Sequence, residues 1–168
     1  LEAAKAALAT MDQLGIATML IMPPPQPLHQ ERPFDIESLQ EVVRTYPGRF
    51  AILGGGGSLN PMIQEAVREK KVTPELRKRF EARAEEIVDL GAVGFGEMTA
   101  EHLSLNPQHP YETASPDHSL FLLLADIAAR HKVPIDLHME AVVEPLSLPS
   151  RFAVPRNPQV LKPNIAAL

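Results

Sequence analysis

Two apolar segments of this chain end in side chains that can do chemistry. The first is Val133-Pro134-Ile135-Asp136-Leu137-His138-Met139. Read as a strand, its period of two puts Ile135, Leu137 and Met139 on one face and Asp136 with His138 on the other. His138 then sits at the strand's C-terminal end, where parallel α/β proteins place their active sites. A neutral imidazole there suits zinc or a similar ion. A hydrogen-bonded structural histidine is the plain alternative. The second segment, Ala92-Val93-Gly94-Phe95-Gly96-Glu97-Met98, delivers Glu97 to a comparable place. A carboxylate there binds metal or serves as a general base, unless it is a solvated acid at a strand end. Because the two strands are adjacent in order, Glu97 and His138 are expected as neighbours on one rim.

Residues 99–114, between these strands and the next helix, form a polar loop holding Glu101, His102, Asn106, His109, Tyr111 and Glu112. Long loops over strand ends are where function concentrates. His102 is the candidate for substrate contact, with Asp136 beside His138 as a second, whereas His109 reads as a surface residue. His118 and His131 fall at the two ends of a helix and read as structural, and the role of His29 stays open. The run Gly54-Gly55-Gly56-Gly57-Ser58 invites comparison with a phosphate cradle, since backbone N–H groups at a strand–helix junction bind anions. It lacks the Lys-Ser/Thr of a P-loop and the spacing of a dinucleotide fingerprint. Close backbone approach at the floor of a site is the better reading, with Gly55 and Gly56 as weaker candidates for substrate binding.

The elements that must position these residues alternate. A helix over 1–14 precedes an apolar strand over 16–22, and a helix capped by Asp35 precedes a strand over 49–53. A short helix introduced by Asn60-Pro61 and a longer one introduced by Thr73-Pro74 lead to the strand over 92–98. A helix over 115–131 leads to the strand over 133–139. Strand–helix alternation of this kind means an α/β fold with a parallel sheet and right-handed crossovers. About four strands are visible. A complete (β/α)₈ barrel needs about 250 residues, so 168 residues hold about half of one. The chain reads as a single domain over 1–168, a partial TIM barrel truncated at both ends. Leu1 opens directly into a helical pattern, and Lys162–Leu168 reads as a helix that starts and stops. An open doubly wound sheet is the other architecture that fits.

Composition narrows the function. A net charge of −5, with no clustered basic face, argues against nucleic acid as a partner. The mixed-sign run at 68–86 reads as a solvated helix face. With no cysteine, thiolate metal sites and disulfides are excluded. No apolar run approaches the roughly 20 residues that span a bilayer. A small-molecule substrate is the expected partner, homo-oligomerisation is left open, and a cytoplasmic location is only the default.

Gly94-Phe95-Gly96-Glu97-Met98, the His-Leu-Ser loop at 102–104, His109-Pro110-Tyr111-Glu112 and Pro134-Ile135-Asp136-Leu137-His138-Met139-Glu140 resemble the metal-dependent amidohydrolase superfamily. The nearest likeness is to the branch containing aminocarboxymuconate-semialdehyde decarboxylase and related TIM-barrel hydrolases, and it runs from the first helix to the last. The resemblance implies a distorted (β/α)₈ barrel with one or two divalent metals at its C-terminal rim, zinc first and manganese second. It implies His-x-His on the first strand, a carbamylated Lys or a Glu on the fourth, His on the fifth and sixth, and Asp on the eighth. With the first strand counted before Leu1, Glu97 falls on the fourth and His138 on the fifth, and both match as metal ligands. The other ligands and the general-base Asp are expected outside this chain, which would then be inactive alone. The implied chemistry is hydrolysis by a metal-bound water. A decarboxylase on the same scaffold, or a non-catalytic flavodoxin-like domain whose glycine turn holds an anion, are the alternatives.

Overall fold

The computed structural model describes residues 1–28, 34–105, 110–152 and 154–164. Four strands, β1 (Met19–Ile21), β2 (Phe50–Gly55), β3 (Gly94–Thr99) and β6 (Ile135–His138), pair in parallel in the order β1-β2-β3-β6. The sheet is curled into a half-barrel. Its spatial order follows the chain order without reversal, whereas a doubly wound, flavodoxin-like sheet reverses at a switch point. Among the described residues, five helices connect and flank the strands: α1 (Glu2–Leu14), α2 (Ile36–Thr45), α3 (Leu59–Glu69), α4 (Pro74–Asp89) and α5 (Ser119–His131).

Local sequence explains most boundaries. Gly15 adopts the left-handed conformation that ends α1. Asp35 caps α2, accepting from the Ile36 amide at 2.7 Å, and Thr73 caps α4 through the Leu76 amide at 3.1 Å ahead of Pro74. Two expected helix starts are displaced. Helix α3 begins at Leu59, so Asn60 lies inside its first turn with its side chain fully buried. Helix α5 begins at Ser119 and is capped by His118, whose Nδ1 accepts from the Leu120 amide at 3.3 Å. Burial keeps the His118 imidazole below its usual pKa, which suits an acceptor at a helix start.

The main core lies between the outer face of the sheet and the helices. Phe80, Phe95, Ile87, Met98, Leu120 and Leu124 are fully buried there, and Ile135, Leu137 and Met139 pack against them, as the strand period requires. A smaller cluster of Ala4, Met11 and Phe50 seats α1 on the sheet's first two strands. The inner face is open. Leu20 of β1 is 52% exposed, and Asp136 of β6 is exposed as well. Leu53 closes part of this face, its methyls lying where any side chain on Gly94 or Gly96 would project.

The polar loop at 99–114 carries a small antiparallel ribbon, β4 (Glu101–His102) with β5 (Glu112–Thr113). The Pro-rich tail carries another, β7 (Leu146–Ser147) with β8 (Val160–Leu161), around a 3₁₀ turn at Ser150–Phe152. Leu103, Val142 and Leu161 form a third apolar cluster that binds the tail to the first ribbon. Neither ribbon shows in the sequence, because two-residue strands carry no period to read. The helix expected from Lys162 onward falls largely on residues 165–168, outside the described residues, and Lys162–Asn164 are not helical.

Candidate active site at the C-terminal rim

The strands of the half-barrel meet their loops at a rim, where β3 and β6 bring two predicted residues together. The ladder pairs Phe95 with Ile135, then Met98 with Leu137 and Thr99 with His138. Gly96 and Glu97 therefore stand against the single Asp136, a β-bulge. One extra residue breaks the strand's alternation, so Phe95 and Met98 both enter the outer core although they are three apart. Glu97 is turned toward β6. Its Oε1 lies 2.5 Å from Nδ1 of His138, with the two side chains 26% and 35% exposed. The Gly96–Glu97 peptide is cis.

Backbone from the other strand ends closes on this pair. The Glu97 amide donates to the Pro23 carbonyl at 3.2 Å, and the Gly56 amide donates to the Gly96 carbonyl at 3.3 Å. A Cβ on Gly56 would sit 2.4 Å from the Pro23 carbonyl oxygen and 3.0 Å from the Glu97 nitrogen, so only glycine fits. The Gly55 amide donates to Asp35 at 2.8 Å. Both glycine amides are thus engaged within the chain, and these glycines bring backbones together beneath Glu97.

The β4–β5 ribbon lies against the pair. His102 lies against His138, with ring centroids 5.0 Å apart. Opposite it in the ribbon stands Glu112. Asp136, two residues before His138 on the same strand face, lies lower on the open inner face, against Gly96. Of the predicted residues, the fold brings Glu97, His138 and His102 together, keeps Asp136 below them, and uses Gly55 and Gly56 as backbone. His109 and His29 lie outside the described residues. His131 holds Glu85 at 2.6 Å beside Arg130, tying α5 to α4, a structural role.

Several polar residues at this rim were not singled out by sequence reasoning. Asn60 Oδ1 accepts from the Thr99 amide at 2.9 Å, while its Nδ2 donates to the Gln26 carbonyl at 3.2 Å and to Glu112 Oε2 at 3.4 Å. The Thr99 hydroxyl is buried and has no hydrogen-bond partner, alone in this among the described residues. Burial pushes the Glu112 carboxyl up to about 7, the Asn60 contact opposing the shift. Asn60-Pro61 resembles a helix cap, which hid a buried amide serving three segments.

On the far side of the ribbon, Tyr111 donates to Glu101 at 2.8 Å and Asn164 donates to its other oxygen at 3.1 Å. Burial and Glu101 push the Tyr111 phenol up to about 12. These groups border a cavity of about 440 Å³ that neither Glu97 nor His138 lines.

Glu97 and His138 offer one carboxylate oxygen and one imidazole nitrogen, the donor types that zinc or manganese accepts. With Nδ1 engaged by Glu97, Nε2 of His138 is the atom left to meet an ion, the usual arrangement of a ligating histidine held by a carboxylate. The pair fits in kind but is short in number. No three or more His, Asp or Glu side chains among the described residues converge to hold an ion. Compared with known families, curated proteins and solved structures, the chain matches none.

Proposed function

We propose that this chain is part of a (β/α)₈-barrel, metal-dependent hydrolase of the amidohydrolase kind, with His138 and Glu97 at its ion. The observation that carries the reading is the meeting of Glu97 and His138 at 2.5 Å, from the C-terminal ends of two adjacent parallel strands. Sequential strand order and helical crossovers support the barrel as the frame. The resemblance of the segments around Glu97 and His138 to that superfamily supports the chemistry.

In this reading Glu97 fixes the imidazole of His138 through Nδ1, so that Nε2 points where an ion would sit, and Glu97 reaches that ion itself only by swinging its carboxylate off Nδ1. The ion, when bound, supplies a nucleophilic water at neutral pH and polarises the substrate. His102, stacked on His138, closes the site from above and contacts the substrate. Asp136 faces the open inner surface below and borders the space a substrate would enter. The remaining ligands and the general-base Asp belong to strands beyond the four described, so residues 1–168 alone should bind metal weakly and turn over nothing.

Cobalt titration of the full-length protein, followed by visible absorption, tests the reading. A saturating band that Glu97→Ala and His138→Ala each weaken by about 100-fold or more in affinity is expected, since even outer partners of a metal site are worth 10–100-fold. A band unchanged in both variants would sink it.

A further inference from the structure

A hydrolase that splits an unactivated ester or amide must also supply a proton to the leaving atom, and neither residue of the Glu97–His138 pair is placed to do so. The two are committed to each other at 2.5 Å. Glu101 is committed to Tyr111 and Asn164 on the other side of the ribbon. Asp136 is exposed on the open inner face. Glu112 differs from all of these.

Glu112 is directly opposite His102 in the antiparallel ribbon, and directly opposite residues project from the same face. With the ring of His102 lying 5.0 Å from that of His138, the ribbon carries Glu112 to the neighbourhood of the pair.

The carboxyl is also held in place. Its Oε2 accepts from Asn60, a wholly buried amide pinned by the Thr99 amide at 2.9 Å and the Gln26 carbonyl at 3.2 Å. Among the described residues its other oxygen has no hydrogen-bond partner and no cation or second carboxylate pairs with it; its hydrogen-bond partner is the neutral Asn60 amide from α3, and His102 stands opposite it in the ribbon. A half-buried carboxyl with one long hydrogen bond and no counter-charge keeps its proton to about pH 7, which suits a general acid.

We infer that Glu112 is a further catalytic residue of this rim, the general acid that protonates the leaving atom. The inference rests on the hydrolase reading above. In the step, the oxygen of water bonds to the acyl carbon and the bond from carbon to the leaving oxygen or nitrogen breaks. The bonding pair stays with the leaving atom, which takes the Glu112 proton. The proton lost by the water goes to the general-base Asp of that reading, and the Glu112 carboxylate regains its proton from solvent, so no further reactant is needed.

The test compares phenyl acetate with 4-nitrophenyl acetate, whose leaving group needs little protonation, using full-length wild type, Glu112→Gln and Glu112→Asp with zinc content measured on each. Glu112→Gln should keep wild-type zinc and lose about 100-fold or more on phenyl acetate, while 4-nitrophenyl acetate loses less than about 3-fold. Glu112→Asp, which retains the acid, should recover part of the phenyl acetate rate. Equal losses on both esters, no loss on either, or an Asp variant no better than Gln would overturn the assignment. A wild type that holds no zinc and cleaves neither ester overturns the hydrolase reading itself, and this assignment with it.

Discussion

The Glu97–His138 contact depends on one inserted residue: without the bulge at Gly96 and Glu97, Glu97 would stand opposite Leu137, on the apolar face. The sequence made Glu97 and His138 legible as neighbours on one rim, and that dependence explains why their direct contact was not. Strand periodicity placed His138 correctly, but periodicity alone gives no hint of a bulge. Glu112 was legible only as one polar residue in a polar loop, since its partner Asn60 is fifty-two positions away. Its titration yields a prediction that needs no substrate. Burial raises the carboxyl from 4.5 to about 7, so the folded chain holds this proton more tightly than the unfolded chain. The stability linked to Glu112 is full below pH 4.5 and declines as pH rises to about 7. Glu112→Gln should match wild type at about pH 4 and exceed it at about pH 8 by on the order of 1–2 kcal/mol, partial solvent access screening the rest. Denaturant melts at the two pH values check this, and identical curves at the higher one would contradict it.

Among the elements, the junction of β2, α2 and α3 holds the floor of the site. Asp35, 2% exposed, accepts from the Ile36 amide, the Gly55 amide and the Ser58 hydroxyl, and Arg83 donates to Ser58 at 2.9 Å. The sequence identified Asp35 as a helix cap and the glycine run as a strand–helix turn. It did not show that the cap and the turn are the same structure, because the hydrogen bonds joining them cross twenty residues. Asp35→Ala removes the cap and strands a buried amide, which should cost about 2–4 kcal/mol in a denaturant melt. Gly56→Ala places a Cβ against the Pro23 carbonyl, which should cost about 1–3 kcal/mol or more and displace Glu97. A melt unchanged by either substitution would mean that this floor does not support the fold. The main strands and the helices among the described residues were readable because each lies in an apolar run or carries a period or a cap. The two ribbons were not, being held by tertiary contacts such as Leu103 on Leu161.

Across the whole molecule, a curled sheet with an uncovered inner face has an energetic consequence. Among the described residues, strands β1 and β6 each pair on one side only, and Leu20 faces the open interior. Unpaired edges and exposed apolar surface favour association. Residues 1–168 should therefore self-associate at micromolar concentrations and bind a hydrophobic dye. Sedimentation showing a monodisperse monomer with no dye binding would contradict this. The same open architecture sets the limit on function, since a rim built from four strands carries two candidate ligands where a zinc site requires three or four. The claim on which the functional account turns is that His138 holds an ion, and zinc analysis of the full-length protein tests it most directly. Near-stoichiometric zinc is expected in the wild type, and a large loss in His138→Ala with the fold retained by circular dichroism. Unchanged zinc in that variant, or none in the wild type, would contradict it.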